Sequence, residues 1–324
     1  MCRILRILNL IINKQKSLLF QSLRVAFYHK NMSNKLLIIG LIFSSFALPS
    51  CKSATSKSVE SQITVEVAKP LKPVQEKIIL KQSGGKVEFN GVSFNYNPKI
   101  FGEVEMEEVA ELPLGGEDYK PDSVVPQHLL FKLKTSNSER QTAIYIFPIV
   151  DYRRMYAISK DMTKAFDDEL RGLQKALRDK NFRIKNQIPF IPFWDGSQTF
   201  LSKVKHFPFS GGRGIFFLTQ FDIETSMINN DGLTYCFEGI TNDEKYYILA
   251  LFPVGVSFLP IGHTEKFEGY VVPERGFIKT DKELKQYKNY ISKITKRLEN
   301  LPADKFEPNL NYFEEMISSL KIEK

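Results

Sequence analysis

Between Phe200 and Phe252 the chain carries four apolar, strand-like segments in quick succession, and this constrains its fold more than any other feature. They run Phe200 to Phe207, Ile215 to Phe221, Leu233 to Phe237 and Tyr246 to Phe252. Turn residues separate them: Ser210-Gly211-Gly212, then Asn229-Asn230-Asp231-Gly232, then Thr241-Asn242-Asp243-Glu244. Connections this short join antiparallel neighbours, because a parallel pair needs a crossover of about a dozen residues. The segment therefore predicts an antiparallel meander.

Further strands precede it. Asn90-Gly91 is a strong hairpin turn, and Val92, Phe94 and Tyr96 alternate with polar residues after it. Val104 and Met106 open another alternating run, and Leu129, Phe131 and Leu133 alternate with Lys132 and Lys134. Ala143 to Ile149 is apolar on both faces, which predicts a central strand.

Helical spacing appears in three places. Met162, Phe166, Leu170, Leu173 and Leu177 recur every three or four residues, with Asp161 as the expected N-cap. Leu284, Tyr287, Ile291, Ile294, Leu298 and Leu301 mark a second helix, and Asn309 to Leu320 a third. These stripes are read as core. Strands first, helices intruding and no βαβ alternation predict α+β: an antiparallel β-sheet with helices packed against it.

Gly255 to Lys279 breaks the pattern. It is long, has no clear period and holds Pro260 and Pro273. Connections of that length inside a compact domain carry function or disorder. We take its Phe258, His263, Phe267, Tyr270 and Phe277 as candidate binding residues. Packing down as a lid is the plainer role for these aromatics, and contact with a partner the sharper one.

Familiar chemistry is missing. Phe209-Ser210-Gly211-Gly212-Arg213-Gly214 resembles a phosphate loop, but strand residues follow it, not the helix an anion loop needs. His128, His206 and His263 are far apart, and no His-Glu-x-x-His or Cys-x-x-Cys occurs, so no metal or other cofactor is expected. No Gly-x-Ser-x-Gly or Ser-x-x-Lys is present. Glu103, Glu105, Glu107, Glu108 and Glu111 crowd one strand and are read as solvated. Cys236 is read as a small buried residue, since a nucleophilic role needs a partner and a low pKa. No catalytic residue is assigned.

The positive charge lies in the leader. Seven of the 45 Lys and Arg precede Cys51, with none of the 37 Asp and Glu, so the chain from Cys51 onward is near neutral. Its basic balance is no sign of a nucleic-acid partner. One local exception is the helix from Asp281. Its polar face carries Lys282, Lys285, Lys288, Lys293, Lys296 and Arg297, partly offset by Asp281, Glu283 and Glu299, and is read first as a solvated face and otherwise as an anionic-lipid contact.

From Met32 a short positive start precedes an apolar stretch of about a dozen residues, too short for the ~20 a membrane span needs. It ends in Leu48-Pro49-Ser50-Cys51, which resembles the lipobox of bacterial lipoproteins. That resemblance implies cleavage before Cys51, acylation of Cys51, and a membrane as partner through the acyl groups. Lys52, where an Asp would mark inner-membrane retention, points to the outer membrane. Residues 1–31 are read as a leader of doubtful translation, 32–50 as the signal, 51–85 as a flexible tether in which Lys77 to Leu80 could pair as a short strand, and 86–324 as one globular domain.

The run Phe209 to Phe221, with Ile228-Asn229-Asn230, Tyr235-Cys236-Phe237-Glu238-Gly239 and Phe252-Pro253-Val254, resembles an uncharacterised family of bacterial secreted and lipid-anchored proteins. The resemblance covers roughly 90–260 and implies an extracytoplasmic domain with no known activity. Gly91 to Pro98 and Phe313 to Ile322 are similar to the PsbP-like α/β/α sandwich, whose members mostly bind or scaffold. The expectation is a lipid-anchored envelope protein with a non-catalytic domain that binds an envelope protein or small ligand. The rival is a periplasmic enzyme with an unfamiliar site.

Overall fold

The computed structural model describes residues 79–112, 125–134, 140, 142–179, 187–191, 196–273 and 276–323. The segments expected as leader and signal, and Cys51, lie outside the described residues.

Strand β1 (Ile79–Gln82) is the first described element. The hairpin β2 (Lys86–Phe89) and β3 (Val92–Asn95) turns at Asn90 and Gly91, whose φ values of 46° and 75° are the left-handed pair a two-residue turn needs. A single helical turn, α1 (Pro98–Phe101), leads to β4 (Val104–Val109), β5 (His128–Leu133) and β6 (Thr142–Pro148). Two helices follow, α2 (Ile149–Met155) and α3 (Lys160–Arg178). The cap of α3 is Ser159, whose hydroxyl accepts from the Met162 amide, and not Asp161, which instead supplies negative charge in the first turn.

Then come β7 (Ser197–Gln198), β8 (Ser202–Phe209), β9 (Gly212–Thr219), β10 (Phe221–Asp222), β11 (Thr234–Thr241) and β12 (Tyr246–Pro253). The segment after β12 folds as a small hairpin, β13 (Lys266–Phe267) and β14 (Tyr270–Val271). The chain closes with α4 (Asp281–Glu299), α5 (Leu310–Ser318) and β15 (Lys321–Ile322).

The main sheet runs β1-β4-β5-β6-β12-β11-β9-β8, antiparallel at every pairing. Two meanders meet where β6 pairs with β12. Both faces are covered, so every residue of central β11 is buried. Tyr235 and Phe237 point into one core, under β2, β3, α4 and α5; Cys236 and Ile240 point into the other, under α2 and α3. The fold is α+β with helices against an antiparallel sheet.

The glycines of the Phe209–Gly214 run serve aromatic packing. A Cβ on Gly212 would stand 2.0 Å from the Phe209 ring, and one on Gly214 would stand 2.1 Å from the Phe237 ring. Rings lie directly on backbone there, and the hairpin is an element of the core. The outer strand β8 is protected as an edge by a register shift between Ser202 and Lys205. Its Lys203 ammonium reaches the carbonyls of Glu299 and Leu301 at the end of α4, where cations oppose the helix dipole.

Candidate binding surface

Residues 255–279 are fastened to the body at several points. Gly255 and Glu307 exchange backbone hydrogen bonds of 2.8 and 3.0 Å. The Asn230 side chain accepts from the Val256 amide at 2.9 Å and donates to the Val256 carbonyl at 3.1 Å. The amides of Asn230 and Asp231 donate to the carbonyls of Pro260 and Ile261. Further on, the Thr225 amide donates to the Gly276 carbonyl at 3.1 Å. The Asn229-Asn230-Asp231-Gly232 run, expected only as a turn, is thus also the clasp of this segment.

The β13–β14 hairpin turns at Glu268 and Gly269, with φ values of 51° and 82°. The Glu268 carboxylate accepts from Lys293 at 2.6 Å and from Arg297 at 3.1 Å, tying the hairpin tip to α4. Those cations hold the Glu268 carboxyl below its ordinary range. The capping box of Thr280 and Glu283 fixes where α4 starts.

The five candidate residues divide. Phe258 is half-buried, with the Arg297 guanidinium on its ring. Phe267 is half-buried against the main core. Tyr270 is buried, its ring 4.9 Å from that of Tyr290 and 5.6 Å from that of Tyr287. Burial pushes the Tyr290 phenol up to about 12, so this trio is neutral near pH 7. Phe277 and His263 face solvent, Phe277 at 57% exposure. Ile261 and Val271, which sequence reasoning did not single out, are 79% and 57% exposed. A firmly held segment therefore lifts three apolar side chains, Ile261, Val271 and Phe277, into water.

A second group of polar residues sits on the opposite face of the sheet, under α2 and α3. Glu238 is fully buried with no hydrogen-bond partner on either carboxylate oxygen. Burial, and then the charge of Glu169, raise its pKa well above the carboxyl range. Tyr247 on β12 offsets part of that shift, though no hydrogen bond of ordinary geometry joins the two. Burial and then Glu238 push the Cys236 thiol up, so it is a poor nucleophile. Burial lowers the pKa of His128, whose ring lies 4.6 Å from that of Phe147. A shallow depression of about 510 Å³ lies at Ala157 to Lys160 and along α3. None of Glu238, Cys236, Tyr247 or His128 lines it.

Among the described residues no group of three His, Cys, Asp or Glu could hold a metal ion, and no helix is long and apolar enough to cross a membrane. No protein-family model matches the chain, and no curated protein or solved structure matches it.

Proposed function

We propose that this chain is a lipid-anchored protein of the cell envelope, held by acyl groups on Cys51, whose folded domain binds a protein or small ligand without chemistry of its own. The observation that carries the binding part is the 255–279 segment. Its backbone and Asn230, Glu268 and Arg297 tie its described residues to the body while Ile261, Val271 and Phe277 stand in solvent. A pre-ordered segment with exposed apolar tips loses little entropy on binding, which favours a recognition role. The buried Glu238 group lends little to the rival enzyme reading, because a reacting molecule would have to pass the α2–α3 layer.

Two measurements test this. In cells fed radiolabelled palmitate, the wild-type protein takes up label and Cys51→Ala takes up none; label in that variant overturns the anchor. A photo-crosslinking residue at position 277 forms discrete adducts in intact envelopes, and one at position 164 on α3 forms none. Identical adducts at both positions remove the 255–279 surface from the site.

A further inference from the structure

Two helices of equal length lie on this domain, and their charges are arranged differently. On α3, Lys164 and Arg171 both pair with Asp168, and Arg153 pairs with Asp167, so the helix face is neutralised. On α4 the stretch from Leu284 to Leu298 contains Lys285, Lys288, Lys293, Lys296 and Arg297 and not one acid. Lys293 and Arg297 lean to one side, where Glu268 takes both. Lys282, Lys285, Lys288 and Lys296 remain exposed and have no ion pair among the described residues.

Helical geometry puts those four on the side opposite the buried Tyr290, Ile294 and Leu298, at the solvent apex. The β13–β14 hairpin runs along the flank of the same helix, because Tyr270 stacks on Tyr290 and Glu268 holds Lys293. Its Val271 side chain alternates away from Tyr270 into solvent, and Phe277 precedes the helix by four residues, also exposed. A cluster of unpaired lysines on one exposed helix face is attracted to anionic lipid headgroups.

We infer that Lys282, Lys285, Lys288 and Lys296 of α4 dock the domain onto an anionic phospholipid surface. This deepens the anchored reading and rests on it, since Cys51 acylation would keep that surface within reach. The 27 residues between Cys51 and Ile79 span up to ~90 Å when extended. Strand β8, beside α4, is the far edge of the sheet from β1, about seven strand spacings or ~34 Å away. The chain length therefore permits the basic side to lie on the bilayer. Each lysine near an anionic surface shifts the ratio of docked to free domain by about fivefold.

The test uses the full lipoprotein, reconstituted in vesicles of phosphatidylcholine alone or of phosphatidylcholine with phosphatidylglycerol. Flotation with the neutral vesicles reads the anchor, and lysine acetylation mapped by mass spectrometry reads docking. On the anionic vesicles the four α4 lysines should be acetylated several-fold more slowly than on the neutral ones. Molar salt should abolish the difference, and Lys164 on α3 should not change. Lys285→Glu with Lys296→Glu should float as before and lose the protection. Equal acetylation on both kinds of vesicle, with the protein floating, overturns docking while leaving the anchor intact, and makes an acidic protein the occupant to seek. Failure to float on neutral vesicles with salt-sensitive protection on anionic ones sinks the anchor and keeps the docking. Failure to associate with either kind of vesicle ends both.

Discussion

The guanidinium carbon of Arg297 stands 3.7 Å from the centre of the Phe258 ring, and the same guanidinium donates to Glu268 at 3.1 Å. One side chain of α4 thereby holds the 255–279 segment near its start and at its hairpin tip. The planar, delocalised cation does both at once, which a lysine ammonium cannot.

Arg297→Lys keeps the charge and loses the stack. A cation–π contact at a half-exposed site contributes about 0.5–1 kcal/mol. In a domain of this size that lowers the melting temperature by roughly 1–4 °C. Amide exchange in the β13–β14 hairpin should accelerate well beyond that in β11 or β12. If exchange across the hairpin is unchanged, the clasp is Asn230 and the backbone alone.

The Phe209–Gly214 run makes a second prediction. A Cβ at position 214 would meet the Phe237 ring at 2.1 Å and the Glu238 carbonyl at 2.7 Å. One of those neighbours is backbone in a paired central strand, so it has no room to yield. Gly214→Ala should cost about 1–3 kcal/mol or more, the range for overpacking a dense core. Urea melts give the number. A neutral result would show that the Phe237 ring and the β11 backbone can move aside. Gly211, at φ 89° with nothing within 4 Å of its Cβ, is the contrasting case, because there the cost comes from backbone conformation alone.

Much of this architecture is legible in the chain, and the failures have physical causes. The Asn90-Gly91 hairpin is readable because few residues tolerate positive φ. The meander and the α3 and α4 helices are readable because their apolar periods repeat over many residues. Helix α2 is not, because the apolar run of β6 passes through Pro148 into Ile149 without a break and seven residues barely span two turns. Two-residue strands such as β13 and β14 carry no period at all. The β6–β12 pairing joins positions about a hundred residues apart, which no local pattern encodes. Of the candidate binding residues, the aromatic content of 255–279 was visible, but which side chains turn outward depends on the Asn230 and Arg297 contacts. Glu238 lies just past the strand read from the sequence and is buried because both faces of β11 are covered.

That buried acid has a pH signature. The folded state holds the Glu238 proton more tightly than the unfolded chain, whose carboxyl titrates near 4.5. Its contribution to stability is therefore full below that pH and declines as pH rises toward the folded pKa. Each pH unit in that window costs about 1.4 kcal/mol. Glu238→Gln keeps the shape and removes the titration. It should be more stable than wild type at pH 8, and the gap should close near pH 4. Carboxylates with lowered pKa, such as Asp167 beside Arg153, act in the opposite sense but cancel between the two proteins. A gap that does not vary with pH would mean that Glu238 is ionised in the fold and has a partner.

The last prediction separates recognition from packing within 255–279. Ile261, Val271 and Phe277 are 79%, 57% and 57% exposed, so their removal takes little apolar area out of the folded core. Phe258, Phe267 and Tyr270 sit against the core or α4, and trimming them opens cavities. The triple change Ile261→Ser, Val271→Ser, Phe277→Ser should keep the melting temperature within about 6 °C of wild type, since each exposed substitution usually stays within about half a kcal/mol. Tyr270→Ala alone should lower it by much more, because a stacked ring is lost from against Tyr287 and Tyr290. The triple variant should also lose most of the adducts formed in envelopes by a crosslinker placed at neighbouring His263. Shortening the segment around Gly262 to Gly269 is a poorer probe, because it removes Glu268 and with it the tie to Lys293 and Arg297. A triple variant that folds normally and retains every adduct would show that the exposed tips are incidental and that recognition lies on another face.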